Sequence, residues 1–190
     1  MKPVYPFAAG LAGTAALLLL QVGGGCRQTT GPNRGAASAA GTRYLLDAEP
    51  ASAQPVVDVR ALLEEKKVPT DIVVVGRISG LGQPTWDPER AAFMVADLSL
   101  AGEAEAAKDE HDETPKHDAE ACPYCRGKKK KELAGLALVQ VVDADGSIPA
   151  VDARQLLGLR DGQTIVVRGQ GEIDKLGTFV VRTNGIYVRP

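Results

Sequence analysis

The sequence holds few of the residues that catalysis draws on. It has two histidines, both inside one polar stretch, so no imidazole is left for a Ser-His-Asp set elsewhere. Three cysteines are too few to staple a disulfide-built scaffold. Aromatic residues make up 4 % of the chain, and stacking platforms for bases are correspondingly scarce. Net charge is -2, and removing Lys2 with a leader would make it -3, so no basic excess points to nucleic acid. No glycine loop of the phosphate-cradling type occurs. Asp143-Ala144-Asp145-Gly146 begins like a calcium loop, but the later ligands and the closing Glu are missing, and it reads as a turn. These gaps exclude the common hydrolase and nucleotide-binding classes, and the chain is not expected to be an enzyme.

What is present begins with an unusual front end. Lys2 is the one charge before Arg27, and Phe7 to Val22 is apolar or small apart from Gln21. The run is shorter than the roughly 20 residues a bilayer-crossing helix needs. A positive start, a short apolar core and small residues before a cut point describe an export signal over residues 1–25. It closes on Gly23-Gly24-Gly25-Cys26. This resembles a bacterial lipobox, in which two small residues precede the Cys that becomes diacylated, although Gly23 stands where Leu is usual. The resemblance implies lipidation at Cys26, a membrane as partner, and a place on the periplasmic side of the cell envelope. Arg27 in place of Asp after the Cys points, by analogy, to the outer membrane. Residues 26–54 are rich in Gly, Ala, Ser, Thr, Gln and Pro, which predicts a flexible tether to a folded domain at 55–190.

The folded part reads as mainly β. Val56 to Lys67 predicts a short entry strand and helix, stopped by Pro69. Asp71 to Ser79, Ala91 to Leu98 and Leu136 to Asp143 are rich in β-branched and apolar residues and read as three strands. Asp152 with Gln155 fits a helix capping box, and Gly158 suits the helix end. Thr164 to Gln170 and Thr178 to Val188 are two further strands. Three strands, a short helix and two strands is the order of the OB-fold, a five-stranded, partly open barrel. Gly76, inside the first of these strands, is expected to allow the sharp bend or bulge a barrel needs.

The phrase Leu159-Arg160-Asp161-Gly162-Gln163-Thr164-Ile165-Val166-Val167-Arg168-Gly169 is similar to the fourth-strand entry of OB domains of the nucleic-acid-binding, anticodon-domain-like type. The resemblance spans roughly residues 70–189, broken by an insertion, and speaks to fold more than to function. OB domains often bind oligonucleotides or oligosaccharides across their second and third strands. Here those strands offer Phe93 as their one aromatic and no Lys or Arg, which argues against nucleic acid as a partner. Phe93, Ile165, Phe179 and Val181 read as core. An envelope protein or a small molecule is the expected partner instead.

Any chemistry concentrates in a long polar insertion between the second and third strands, about 100–133. His111, His117, Cys122 and Cys125 all fall there, spaced His-x5-His-x4-Cys-x2-Cys among acidic residues. Two thiolates and two imidazoles would close a tetrahedral site for zinc, and Cys-x2-Cys is the spacing of a zinc knuckle. Copper(I) is the alternative ion, since thiolates suit it. Two other readings stand beside the metal site. A Cys122–Cys125 disulfide with incidental histidines suits an oxidising compartment. Thiol–disulfide exchange is the other: Cys122-Pro123-Tyr124-Cys125 is the glutaredoxin tetrapeptide, although no strand precedes it and no βαβ context surrounds it. Haem attachment is excluded, because Arg126 stands where a His must follow Cys125. The basic run Arg126 and Lys128 to Lys131 follows the acidic stretch and reads as a solvated, internally paired loop.

Overall fold

The computed structural model describes residues 35–100 and 122–190. After a 3-10 turn at Thr42–Tyr44, the elements are β1 (Gln54–Pro55), α1 (Val56–Lys66), β2 (Thr70–Ile78), β3 (Ala92–Ala96), α2 (Pro123–Ala134), β4 (Leu136–Val141), α3 (Ala153–Leu157), β5 (Thr164–Ile173) and β6 (Phe179–Val188). Local sequence accounts for most of their ends. In α1, Val56, Val59 and Leu63 recur at helical spacing and are buried. The helix stops at Lys67, which is left-handed (φ 55) and donates its N–H to the Leu63 carbonyl, one residue ahead of the Val68-Pro69 pair that disfavours helix.

The sheet order is β1-β2-β3-β4-β6-β5, and β2 also pairs with β5. Five strands, β2 to β6, therefore close on themselves as a barrel, with β1 added in parallel at one edge of β2. Every barrel pairing is antiparallel except β4–β6, and α3 lies between β4 and β5 in sequence. This closed five-stranded barrel is compatible with an OB-like fold, as the order of segments predicts. Alternation sends Ile72, Val74, Phe93, Val95, Val139, Ile165, Val167, Phe179 and Val181 inward. α1 and α3 add Val59, Leu63, Leu156 and Leu157 to the same core. Phe93 and Phe179 are its largest fully buried side chains.

The structure departs from the sequence reading in several places. Gly76 is no bulge, since pairing of β2 with β5 runs unbroken from Thr70↔Gly171 to Arg77↔Thr164. Its role is close approach. A Cβ there would stand 2.4 Å from Val95 Cγ1 and 2.7 Å from the Ala96 carbonyl oxygen on β3. The irregularity lies between β5 and β6, at Arg168/Gly169. Asp152 does cap α3, but its carboxylate accepts from the Arg154 N–H at 2.7 Å and from the Arg154 side chain, and Gln155 does not reciprocate among the described bonds.

Residues 35–53, which the composition assigns to a tether, lie against the barrel. Ser38 N–H and Oγ both reach the Leu156 carbonyl, and Leu45 pairs in parallel with Ile186. Tyr44 is 2 % exposed within the core, and its hydroxyl meets Asp143 at 2.5 Å. This segment fills the edge of β6 beyond the point where β4 ends. The insertion is also more ordered than its polarity suggests, because 123–134 is helix. Among the described residues no helix is long and apolar enough to cross a membrane.

Candidate functional site

α2 begins at the cysteines. Cys122 is its N-cap, Pro123 occupies the first turn where its missing N–H costs nothing, and the Cys122 carbonyl accepts the first helical bond, from Arg126 N–H at 3.1 Å. Cys125 follows one turn on, which sets both sulfurs on the same end of the helix. The two are thiols, not joined as a disulfide, and both are partly buried. They hydrogen-bond to one another, and that bond is the main reason the Cys125 thiol is pushed above its ordinary value. Burial and the Cys122 charge act in the same direction, and Lys128 opposes them. The helix continues through Arg126 and Lys128 to Lys131, all exposed, with Lys128 3.9 Å from Glu132 one turn away.

Two adjacent sulfurs at a helix start fit two positions of a tetrahedral zinc or copper(I) site. Among the described residues no group of three or more metal-type side chains gathers. His111 and His117, the other two donors of the sequence reading, lie outside the described residues, as does Cys26.

The root of this excursion is held by a residue that composition gave no reason to single out. Asp97 follows β3 and is 3 % exposed. Its carboxylate accepts from Ser99 N–H (3.0 Å) and Ser99 Oγ (2.7 Å), capping the helical turn at 98–100, and from Val57 N–H (3.2 Å) in the first turn of α1. Its own N–H donates to the Gly135 carbonyl at 2.8 Å, where α2 returns to β4. One residue thus joins both ends of the insertion, its carboxylate linking the outgoing end to α1 and its backbone N–H holding the returning end. The sequence signal was Asp-x-Ser ahead of Leu100, an Asx-turn pattern hidden by the preceding strand.

The outer faces of β3 and β4 carry Ala92, Met94, Ala96, Leu136, Leu138 and Gln140, since Phe93, Val95, Ala137, Val139 and Val141 belong to the core. Phe93 stacks on Trp86 at 5.4 Å between centroids, and Trp86 in turn donates its indole N–H to Asp161 at 3.0 Å and lies under the Arg154 guanidinium. These aromatics serve the barrel. Comparison with protein-family models, with curated proteins and with solved structures finds no match to this chain.

Proposed function

We propose that this is an exported, membrane-tethered binding module in which an OB-like barrel carries a metal-coordinating excursion, and that it is not catalytic. Cys122 and Cys125 supply two ligands from the first turn of α2, and His111 and His117 supply the other two. The observation that carries the reading is the pairing of the two sulfurs at one helix end, on a segment anchored at its root by Asp97. Zinc is the expected ion, with copper(I) as the alternative. Metal held there lends folding energy to a segment with few apolar side chains of its own. Acyl chains on Cys26 hold the module at the periplasmic face of a membrane, and an envelope protein or small ligand is the partner.

Metal analysis of the full chain, purified without chelator, tests this. The expected result is about one zinc or copper per chain, lost in both Cys122→Ser and His117→Ala variants. Full occupancy in His117→Ala would remove the imidazoles from the site. Mass spectrometry of the membrane-extracted protein tests the anchor separately, and an N-terminus other than a lipidated Cys26 would refute it.

A second reading has its own support. A Cys at the N-cap of a helix, three residues before its partner, is the arrangement that makes a thiolate reactive. In that case the pair turns over by thiol–disulfide exchange with an envelope protein. A metal-free protein that reduces insulin with dithiothreitol would support this reading. A metal-free protein with an unreactive disulfide would leave a structural role.

A further inference from the structure

The irregularity between β5 and β6 has a geometry of its own. Arg168 pairs with Gly185 and Gly169 with Thr183, so Asn184 is the extra residue on β6. The bulge is held from below by Thr183, 1 % exposed, whose hydroxyl donates to the Arg168 carbonyl at 2.7 Å and accepts from Gly185 N–H at 2.9 Å. Gly169 is obligatory beside it, because a Cβ there would lie 2.1 Å from the Arg182 carbonyl oxygen. A bulge of this kind re-aims the side chains next to it and bends the strand.

Those side chains look onto one groove of about 900 Å3, whose lining includes Gln54, Asp71, Arg168, Gln170, Arg182 and Asn184. The register makes it continuous, since Asp71 faces Gln170 and Gln170 faces Arg182 across three strands. Arg182 is committed to Glu172 at 2.8 Å. The Arg168 guanidinium has no ion pair and no hydrogen bond among the described residues, and it rests 3.6 Å from where a Cβ on Gly185 would be. Exposed amides flank it on β1, β5 and β6.

We infer that this groove binds a polar small molecule through an oxyanion group, carboxylate or phosphate, with Arg168 as the anion contact. A guanidinium presents a planar fork of donors that matches two oxygens of one anion. Gln54, Gln170 and Asn184 offer both donors and acceptors to the rest of the ligand. Asp71 accepts from a hydroxyl or ammonium and repels a second anionic group, which selects a ligand with one acidic group over a polyanion. The polar groups gathered along the groove are side chains of β1, β2, β5 and β6, and recognition runs through them. No residue of α2 contributes, and the inference stands apart from the metal reading.

The test is an amide-resolved NMR titration of the full chain with inorganic phosphate and, separately, with acetate, against chloride at equal ionic strength. The expected result is saturable shifts at Gly169, Asn184 and Gly185 with at least one oxyanion, and binding weaker by about tenfold or more in Arg168→Gln. Saturation with phosphate or with acetate identifies which oxyanion the groove takes. Arg126→Gln on α2 leaves the titration unchanged. Shifts that do not saturate, that match chloride, or that persist undiminished in Arg168→Gln would overturn the proposal.

Discussion

A buried carboxylate at the root of the insertion, Asp97, caps the start of α1 and the turn at 98–100 together. Removing it takes the acceptor from the Val57 and Ser99 N–H groups, which sit in a half-buried setting. Asp97→Ala is therefore expected to cost roughly 1–2 kcal/mol in urea unfolding, from the loss of a cap and of half-buried hydrogen bonds. Asp97→Asn, which keeps one acceptor oxygen, is expected to cost less. At α3, the Arg154 side chain is the main cause holding the Asp152 carboxyl below its ordinary value, and burial opposes it. A carboxyl depressed on folding contributes stability above its unfolded pKa, near 3.9, and loses that contribution as pH falls through the lower folded value. Arg154→Gln should flatten the acid limb of a stability–pH profile, and equal slopes in the two proteins would contradict the pairing. Glycine substitutions should divide by surroundings. Gly169→Ala drives a Cβ into the Arg182 backbone and is expected to cost several kcal/mol, on the order of 3. Gly127→Ala meets nothing within 4 Å and should stabilise α2 by about 1 kcal/mol.

Among the elements, the strands were legible because β-branched runs name a strand wherever they fall, and β2, β4 and β5 are built from Val and Ile. Their ends were less so. β5 runs on to Ile173 through Gly171 and Glu172, which no propensity favours, because β2 pairs it as far as Gly171 and β6 as far as Ile173. α2 was hidden for the opposite reason. Its lysines are good helix formers, but it has no buried apolar stripe, so hydrophobic periodicity is silent about it. Its cysteines were still identified, since their spacing depends on chemistry and not on fold. The segment before β1 was misread because small residues there look like a linker, and Tyr44 and Leu45 alone mark its docking. Its contribution is measurable. Tyr44→Ala should cost roughly 3–5 kcal/mol, as large aromatic truncations in a core do, whereas Tyr44→Phe removes the bond to Asp143 at a cost nearer 1 kcal/mol. Equal stability of Tyr44→Ala and the parent would mean that residues 35–53 contribute little to the fold.

At the scale of the whole molecule, a closed barrel provides rigidity while its additions supply whatever is specific. The N-terminal segment completes the β6 edge, α1 and α3 complete the core, and α2 lies in the β3–β4 connection with the cysteines at its start. The order of segments along the chain was enough to foresee the barrel, because few topologies place a helix between a third and a fourth strand and still close. It was not enough to foresee the groove, which depends on one extra residue in β6 and on which arginine finds an internal partner. The groove shares no residue with the helix that carries Cys122 and Cys125, so each reading stands or falls alone. The most direct measurement for the first is X-ray absorption at the zinc or copper edge of the full chain as purified. The account predicts two sulfur neighbours near 2.3 Å and two nitrogen neighbours near 2.0–2.1 Å. A first shell of oxygen and nitrogen without sulfur would contradict it.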